Sequence, residues 1–217
     1  MNCPLCRSLS FPFVARALGL LTLAVSLLGS SAHAANKTWN NTGTDVNATG
    51  SWTGGVPGTG DTAVFSTAKV TNPNLSASLT IQELNFSTTS SSGYDLTSSS
   101  TSIKLTLTNT GTGMTSAINS ANTSSTNTID CPIVLRAANG TTQTFTQASG
   151  GTLVINGVIS STNTVTLSLD GTGTFTLSGA NTYSGGTILG LGARQQHLTL
   201  IMPPPLEQVR SPSTEGR

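Results

Sequence analysis

The sequence predicts an all-β chain whose strands stack as successive coils, a β-helix or β-solenoid, with a β-sandwich as the alternative. Three observations carry this. Short blocks alternate apolar and polar residues with period two and are bounded by Gly, Asn, Ser or Asp, which is the pattern of strands. Beyond the first 34 residues, no window offers the apolar i, i+3, i+4, i+7 stripe of an amphipathic helix. Two segments also align with each other. "GTLVING" from Gly151 and "GTFTLSG" from Gly173 share the pattern Gly-Thr-apolar-x-apolar-polar-Gly, which sets Leu153 over Phe175, Ile155 over Leu177 and Gly157 over Gly179 at an offset of 22 residues. Repeats of about 20 to 50 residues are how stacked architectures appear in sequence, because each coil buries its apolar face only against its neighbours.

The first element, residues 1–34, reads as an export signal. Arg7 and Arg16 supply basic flanks, Ala17–Leu28 is an apolar core, and "GSSAHA" ends in an A-x-A site, so cleavage is expected between Ala34 and Ala35. The core is too short to span a bilayer, and the mature chain is expected to be exported and soluble. Cys3 and Cys6 form a CxxC inside the segment to be removed, with none of the companion ligands that a tetrahedral metal site needs. Cys131, in "IDCPIVL", is expected to be a small buried hydrophobe.

Residues 35–188 form the expected domain. Ser and Thr fill 57 of these 154 positions, and β-branched Thr suits strands better than helices. Four cations (Lys37, Lys69, Lys104, Arg136) face six carboxylates (Asp45, Asp61, Glu83, Asp95, Asp130, Asp170), a net of 4 − 6 = −2. Without a basic patch to neutralise phosphates, nucleic acid is excluded as a partner. The apolar blocks argue for order over disorder. In chain order they are "TAVFS" (62–66), "LTIQELNFS" (79–87), "IKLTLT" (103–108), "IVLRA" (133–137), "TFTQ" (144–147), "TLVING" (152–157), "VTLSL" (165–169) and "TFTLSG" (174–179). The polar stretches "STTSSSGYDLTSSSTS" (87–102) and "NSANTSSTNT" (119–128) are expected as solvated outward loops. At 22 residues per coil the domain would make about 7 coils, and at about 4.8 Å per coil a rod of roughly 34 Å, with open coil edges prone to edge-to-edge self-association.

Catalytic chemistry has little material. No His lies between Ala35 and Ile188, which removes Ser-His-Asp and Cys-His arrangements and imidazole metal ligands. The carboxylates are scattered, and Asp61, Asp95, Asp130 and Asp170 each sit where a turn residue bonds its own backbone. Asp170-Gly171 suggests a tight hairpin or coil turn; calcium-binding G-G-x-G-x-D units do not recur in tandem, and "GTGTF" lacks the Lys-Ser/Thr of a phosphate loop. The expectation is therefore no catalytic residue, no metal and no cofactor. A carboxylate pair assembles in space rather than in sequence, so a polysaccharide-cleaving β-helix stays as a lesser alternative. Trp39, Trp52, Phe65 and Phe86 gather near the mature N-terminus. They cap the open end of a stacked core or, in the rival reading, Trp39 and Trp52 stack on sugars in a carbohydrate-binding module.

"GTFTLSGANTYSGGT" (173–187) closely resembles the autotransporter-associated β-strand repeat, through Gly173, Phe175, Leu177, Gly179, Asn181, Tyr183, Gly185 and Gly186. Upstream, "TWNNTGTDVNATGSWTGGVPGTGDTAVF" (38–65) looks like the Trp-rich segment that opens such passengers, and "QTFTQASGGTLVINGVIS" (143–160) like the run into a first repeat. The resemblance implies a right-handed parallel β-helix and a structural or adhesive passenger on the surface of a Gram-negative-type bacterium, secreted or held at the outer membrane. It also implies a cell-surface or polysaccharide ligand and a translocator barrel or sorting tail, neither of which this chain shows. After Ile188 the composition changes to Arg, Gln, His, Pro and Glu. Read one base earlier, the codons of residues 206–216 admit a Gly-Thr-Gly-Ala-Val-Thr-Val-Asn-Gly-Gly run in the chain's earlier style, so residues 189–217 are expected to be an out-of-frame or disordered tail and the chain an N-terminal fragment.

Overall fold

The computed structural model describes residues 35–89, 91–109, 116–190 and, for the backbone alone, 198–200. The expected export signal lies outside the described residues, as do 191–197 and 201–217 of the expected tail. Strands β1 (Asn36–Trp39) and β2 (Trp52–Thr53) form the one antiparallel pair among the described residues. From there the chain winds, and each of the first four turns contributes one strand to each of three faces. The turns are β3 (Thr62–Phe65), β4 (Asn74–Leu75) and β5 (Leu79–Ile81); β6 (Glu83–Phe86), β7 (Asp95–Ser98) and β8 (Leu105–Leu107); and β9 (Ile118–Ser120), β10 (Thr126–Ile129) and β11 (Ile133–Leu135). They continue with β12 (Thr141–Gln147), β13 (Thr152–Ile155) and β14 (Ile159–Ser161), then β15 (Val165–Gly171) and β16 (Thr174–Leu177), before β17 (Thr187–Leu189) and β18 (Leu198–Leu200) begin a further turn.

The strands stack into three parallel sheets in the orders β17-β15-β12-β9-β6-β3-β1, with β2 at the outer edge of β1, then β18-β16-β13-β10-β7-β4 and β14-β11-β8-β5. The protein is a parallel β-solenoid of about five turns. Parallel pairing between strands of successive turns excludes the sandwich. The turns number about five and not seven because 22 residues is only one of several coil lengths. Thr62 lies opposite Glu83, 21 residues on, but Leu84 lies opposite Ile118, 34 on, and Leu167 opposite Thr187, 20 on.

Alternation in the strands becomes columns in the core. Ala63, Leu84, Ile118, Phe145, Leu169 and Leu189 stand in register on the first face, and Leu79, Leu105, Ile133 and Ile159 on the third. All but Leu189 are buried, and each large member contributes about 1.5–3 kcal/mol of burial free energy. Outward positions carry the hydroxyls, as in the column Thr126, Thr152, Thr174.

Two expectations need correction. "LTIQELNFS" is two strands, β5 and β6, broken at Gln82, where the chain turns a corner. The two stretches expected as solvated loops contain β7 and most of β9 and β10, and Ser120, Asn122 and Asn127 are fully buried. Past Ile188, Leu189 belongs to β17, Gly190 donates its N–H to the Leu169 carbonyl at 2.7 Å, and Leu198–Leu200 pairs with β16.

Candidate functional site

The repeat-bearing coil is held in place by the residues that carry the resemblance. Phe175 and Leu177 lie directly above Leu153 and Ile155, the register expected from the sequence. Gly179 packs against the carbonyl of Gly157, and Gly157 against that of Cys131, so that a Cβ at either glycine would collide with backbone. Asn181 stands where the third face has no strand in this turn. Its Oδ1 accepts the Ile159 N–H at 2.8 Å, and Thr182 donates its backbone N–H to the Ile159 carbonyl at 2.8 Å, so a side chain and one amide replace a strand and keep β14 paired. Tyr183 is buried and its hydroxyl bonds to Thr187 Oγ1 at 2.6 Å. At Gly185 a Cβ would meet the Val165 backbone, while Gly186 has φ +80°, a conformation that favours glycine. Gly173 is equally crowded, against the Ala148 carbonyl.

At the opposite end, Trp39, Trp52, Phe65, Phe86 and Tyr94 form one cluster. Trp39 and Trp52 meet edge to face with centroids 5.3 Å apart, Phe65 lies 5.6 and 5.5 Å from them, and Tyr94 lies 4.9 Å from Phe65. Each such pair is worth about 0.5–1.5 kcal/mol beyond area burial. Trp39 is 1% and Trp52 5% exposed, so neither indole presents a face on which a sugar could stack. The polar tips are satisfied internally. Trp52 Nε1 donates to the Val46 carbonyl at 2.7 Å and Trp39 Nε1 to Asn41 Oδ1 at 3.1 Å, while Asn41 Nδ2 donates to the Tyr94 hydroxyl at 3.0 Å. Asn41 holds φ 59°, a left-handed conformation that Asn tolerates better than most residues.

The structure separates the carboxylates. Asp61 accepts the N–H groups of Ala35 and Gly58, Asp45 that of Asn47, and Asp170 that of Gly171. Asp170-Gly171 turns the chain from β15 to β16 as a coil corner, since β15 pairs only in parallel. Asp95 pairs with Lys69 at 3.4 Å and Asp130 accepts from Asn156 at 2.8 Å. Glu83 is buried, and that burial raises its carboxyl above the usual range although Thr62 donates a hydrogen bond to it. Among the described residues, no group of three or more His, Cys, Asp or Glu converges on a point. The Cys131 thiol is fully buried and pushed up to about 12, by loss of solvent and then by the adjacent Asp130, which leaves it unreactive at neutral pH. No helix among the described residues is long and apolar enough to cross a membrane.

One feature gave no periodic signal in the sequence. Between the first and second faces, Asn127 Nδ2 donates to Ser120 Oγ at 2.9 Å, Ser120 Oγ to Asn122 Oδ1 at 2.7 Å, and Gln147 Nε2 to the same Asn122 oxygen at 3.0 Å. Asn127 Oδ1 in turn accepts the Tyr94 N–H at 2.9 Å. The network is buried and spans three turns of the solenoid. Compared with protein-family models, with curated proteins and with solved structures, the chain gives no match.

Proposed function

We infer that the chain is part of an exported, autotransporter-like passenger whose role is structural or adhesive, a stalk or surface rod without enzymatic activity. The observation that carries this reading is the use made of residues 173–187. Most positions shared with the repeat serve coil stacking: Phe175 and Leu177 in the inward column, Asn181 as a substitute strand partner, and Gly173, Gly179 and Gly185 where coils touch backbone to backbone. A motif devoted to stacking is a unit of extension, and extension away from a cell surface is what a stalk requires. The scattered, turn-bound carboxylates agree with a non-enzymatic role.

Expression in a Gram-negative host with fractionation and N-terminal sequencing tests the export step. The expected product lies beyond the inner membrane and begins at Ala35; a chain that keeps Met1 and stays in the cytoplasm would overturn it. Assay against a polysaccharide panel tests the rest. Hydrolysis that disappears on Asp130→Asn or Asp170→Asn would replace the stalk with an enzyme.

A further inference from the structure

At the corner between the second and third faces runs a groove of about 450 Å³. Thr101 and Lys104 line it from the turn of β8, Asp130 and Pro132 from the next, Asn156, Val158 and Ser160 from the turn of β14, and Thr182 from the last. It therefore crosses four turns, roughly 14 Å at the spacing of stacked strands. Its volume falls within the range of small-molecule sites, about 300–1,000 Å³. Gly157 also lines the groove, and a Cβ there would collide with the Cys131 backbone of the neighbouring turn.

We propose that this groove is a binding site for an uncharged oligosaccharide of two or three units. Its chemistry narrows the ligand by class. One cation and one carboxylate line it, so no net charge recruits a phosphate or a polyanion. The flanking strands β10, β13 and β16 and β8, β11 and β14 are hydrogen-bonded to one another, so an extended peptide finds no row of free backbone groups to add to. What remains is an alternation of polar tips and small apolar surfaces. Val158 is 37% exposed, one of three large hydrophobic side chains so displayed among the described residues, and with Pro132 it offers contact to the C–H face of a sugar ring. The Lys104 ammonium has no partner among the described residues and donates to hydroxyls. Asp130 gives one carboxylate oxygen to Asn156 at 2.8 Å, which fixes its orientation and leaves the other to accept from a hydroxyl. No aromatic ring lines the groove, so dissociation constants in the millimolar range are expected, and adhesion would draw on several such sites.

The inference rests on the adhesive reading only for its biological use. The binding test needs no export step and can fail separately from it. In amide-resolved NMR, maltotriose, cellotriose and chitotriose are each titrated into the full chain. The expected result is that at least one shifts the amides of Lys104, Asp130, Asn156, Val158 and Thr182 together. Lys104→Ala should weaken that binding at least threefold, and Val158→Arg, which fills the groove from an exposed position, should abolish it. Val70→Ser, on an exposed position outside the groove, should leave it unchanged. Any of three results would overturn the assignment: no concerted shift with all three sugars, binding indifferent to both groove variants in folded protein, or the same amides moved by a Ser/Thr-rich peptide and not by saccharide.

Discussion

The two ends of the solenoid solve different problems. At the N-terminal end, five aromatic rings, an antiparallel strand and the left-handed Asn41 cover an open core with large side chains. In the repeat-bearing turns, small residues do the work: Gly157 and Gly179 bring backbones into contact, and single Leu, Ile or Phe side chains stack in register. Closing an end is done once and needs bulk; adding a coil is done repeatedly and needs a surface identical to the one beneath it. Damage to the first region should therefore be deep and to the second graded with distance from the stacking contact.

The largest effect is expected from Trp39→Ala, which removes a buried indole packed against Trp52 and Phe65 in the aromatic end. Loss of about 3–5 kcal/mol in denaturant unfolding follows from truncating a buried Trp. Next stands Gly157→Val, whose Cβ would collide with the Cys131 carbonyl. With backbone on the opposing side, about 2–4 kcal/mol is expected, and exchange protection should drop around residues 131 and 157 while residues 39–65 keep theirs. Asn181→Ala should cost less, about 1–2 kcal/mol, by leaving the Ile159 N–H without its acceptor; Asn181→Asp, which retains an acceptor oxygen, should recover part of it. A difference as large as that at Trp39 would show the repeat end to be the weaker one.

The smallest predicted effect is in pH. Glu83 has its folded pKa raised above 4.5 by burial, so the folded state holds this proton more tightly than the unfolded chain does. Its contribution is fully present below about pH 4.5 and is lost as pH rises through the folded value. Glu83→Gln should flatten that fall, seen as a smaller difference between unfolding midpoints measured at pH 4 and pH 7.

How much of this was legible in the sequence depended on what faces inward. Where inward positions are Leu, Ile or Phe, alternation exposed the strand, and for Leu153 over Phe175 even the register. Where they are Ser120, Asn122, Asn127 and Gln147, the same geometry carries no apolar signal, and "NSANTSSTNT" looks like solvent-facing loop. Coil number is not legible for a related reason, since the 34-residue step from Leu84 to Ile118 leaves no mark of period. The aromatic end was readable as a cluster, but Asn41, which ties two of its polar tips together, looked like one Asn among many. The groove could not be anticipated, because its walls come from four turns whose stacking the sequence specifies at one step only.

Disulfide trapping of the repeat register is the most direct test of the central claim, that Thr174–Leu177 of the repeat stacks on Thr152–Ile155 at an offset of 22. In a Cys131→Ala background of the chain starting at Ala35, the outward pair Val154→Cys and Thr176→Cys sits on paired positions of adjacent strands, within the separation a disulfide tolerates. The account predicts rapid, nearly complete bridging of this pair under mild oxidation, and little for Val154→Cys with Thr174→Cys, whose Cα atoms lie about 8 Å apart at the strand spacings. Equal bridging in both, or faster bridging of the second, would contradict the stacked register and with it the reading of the repeat as a unit of extension.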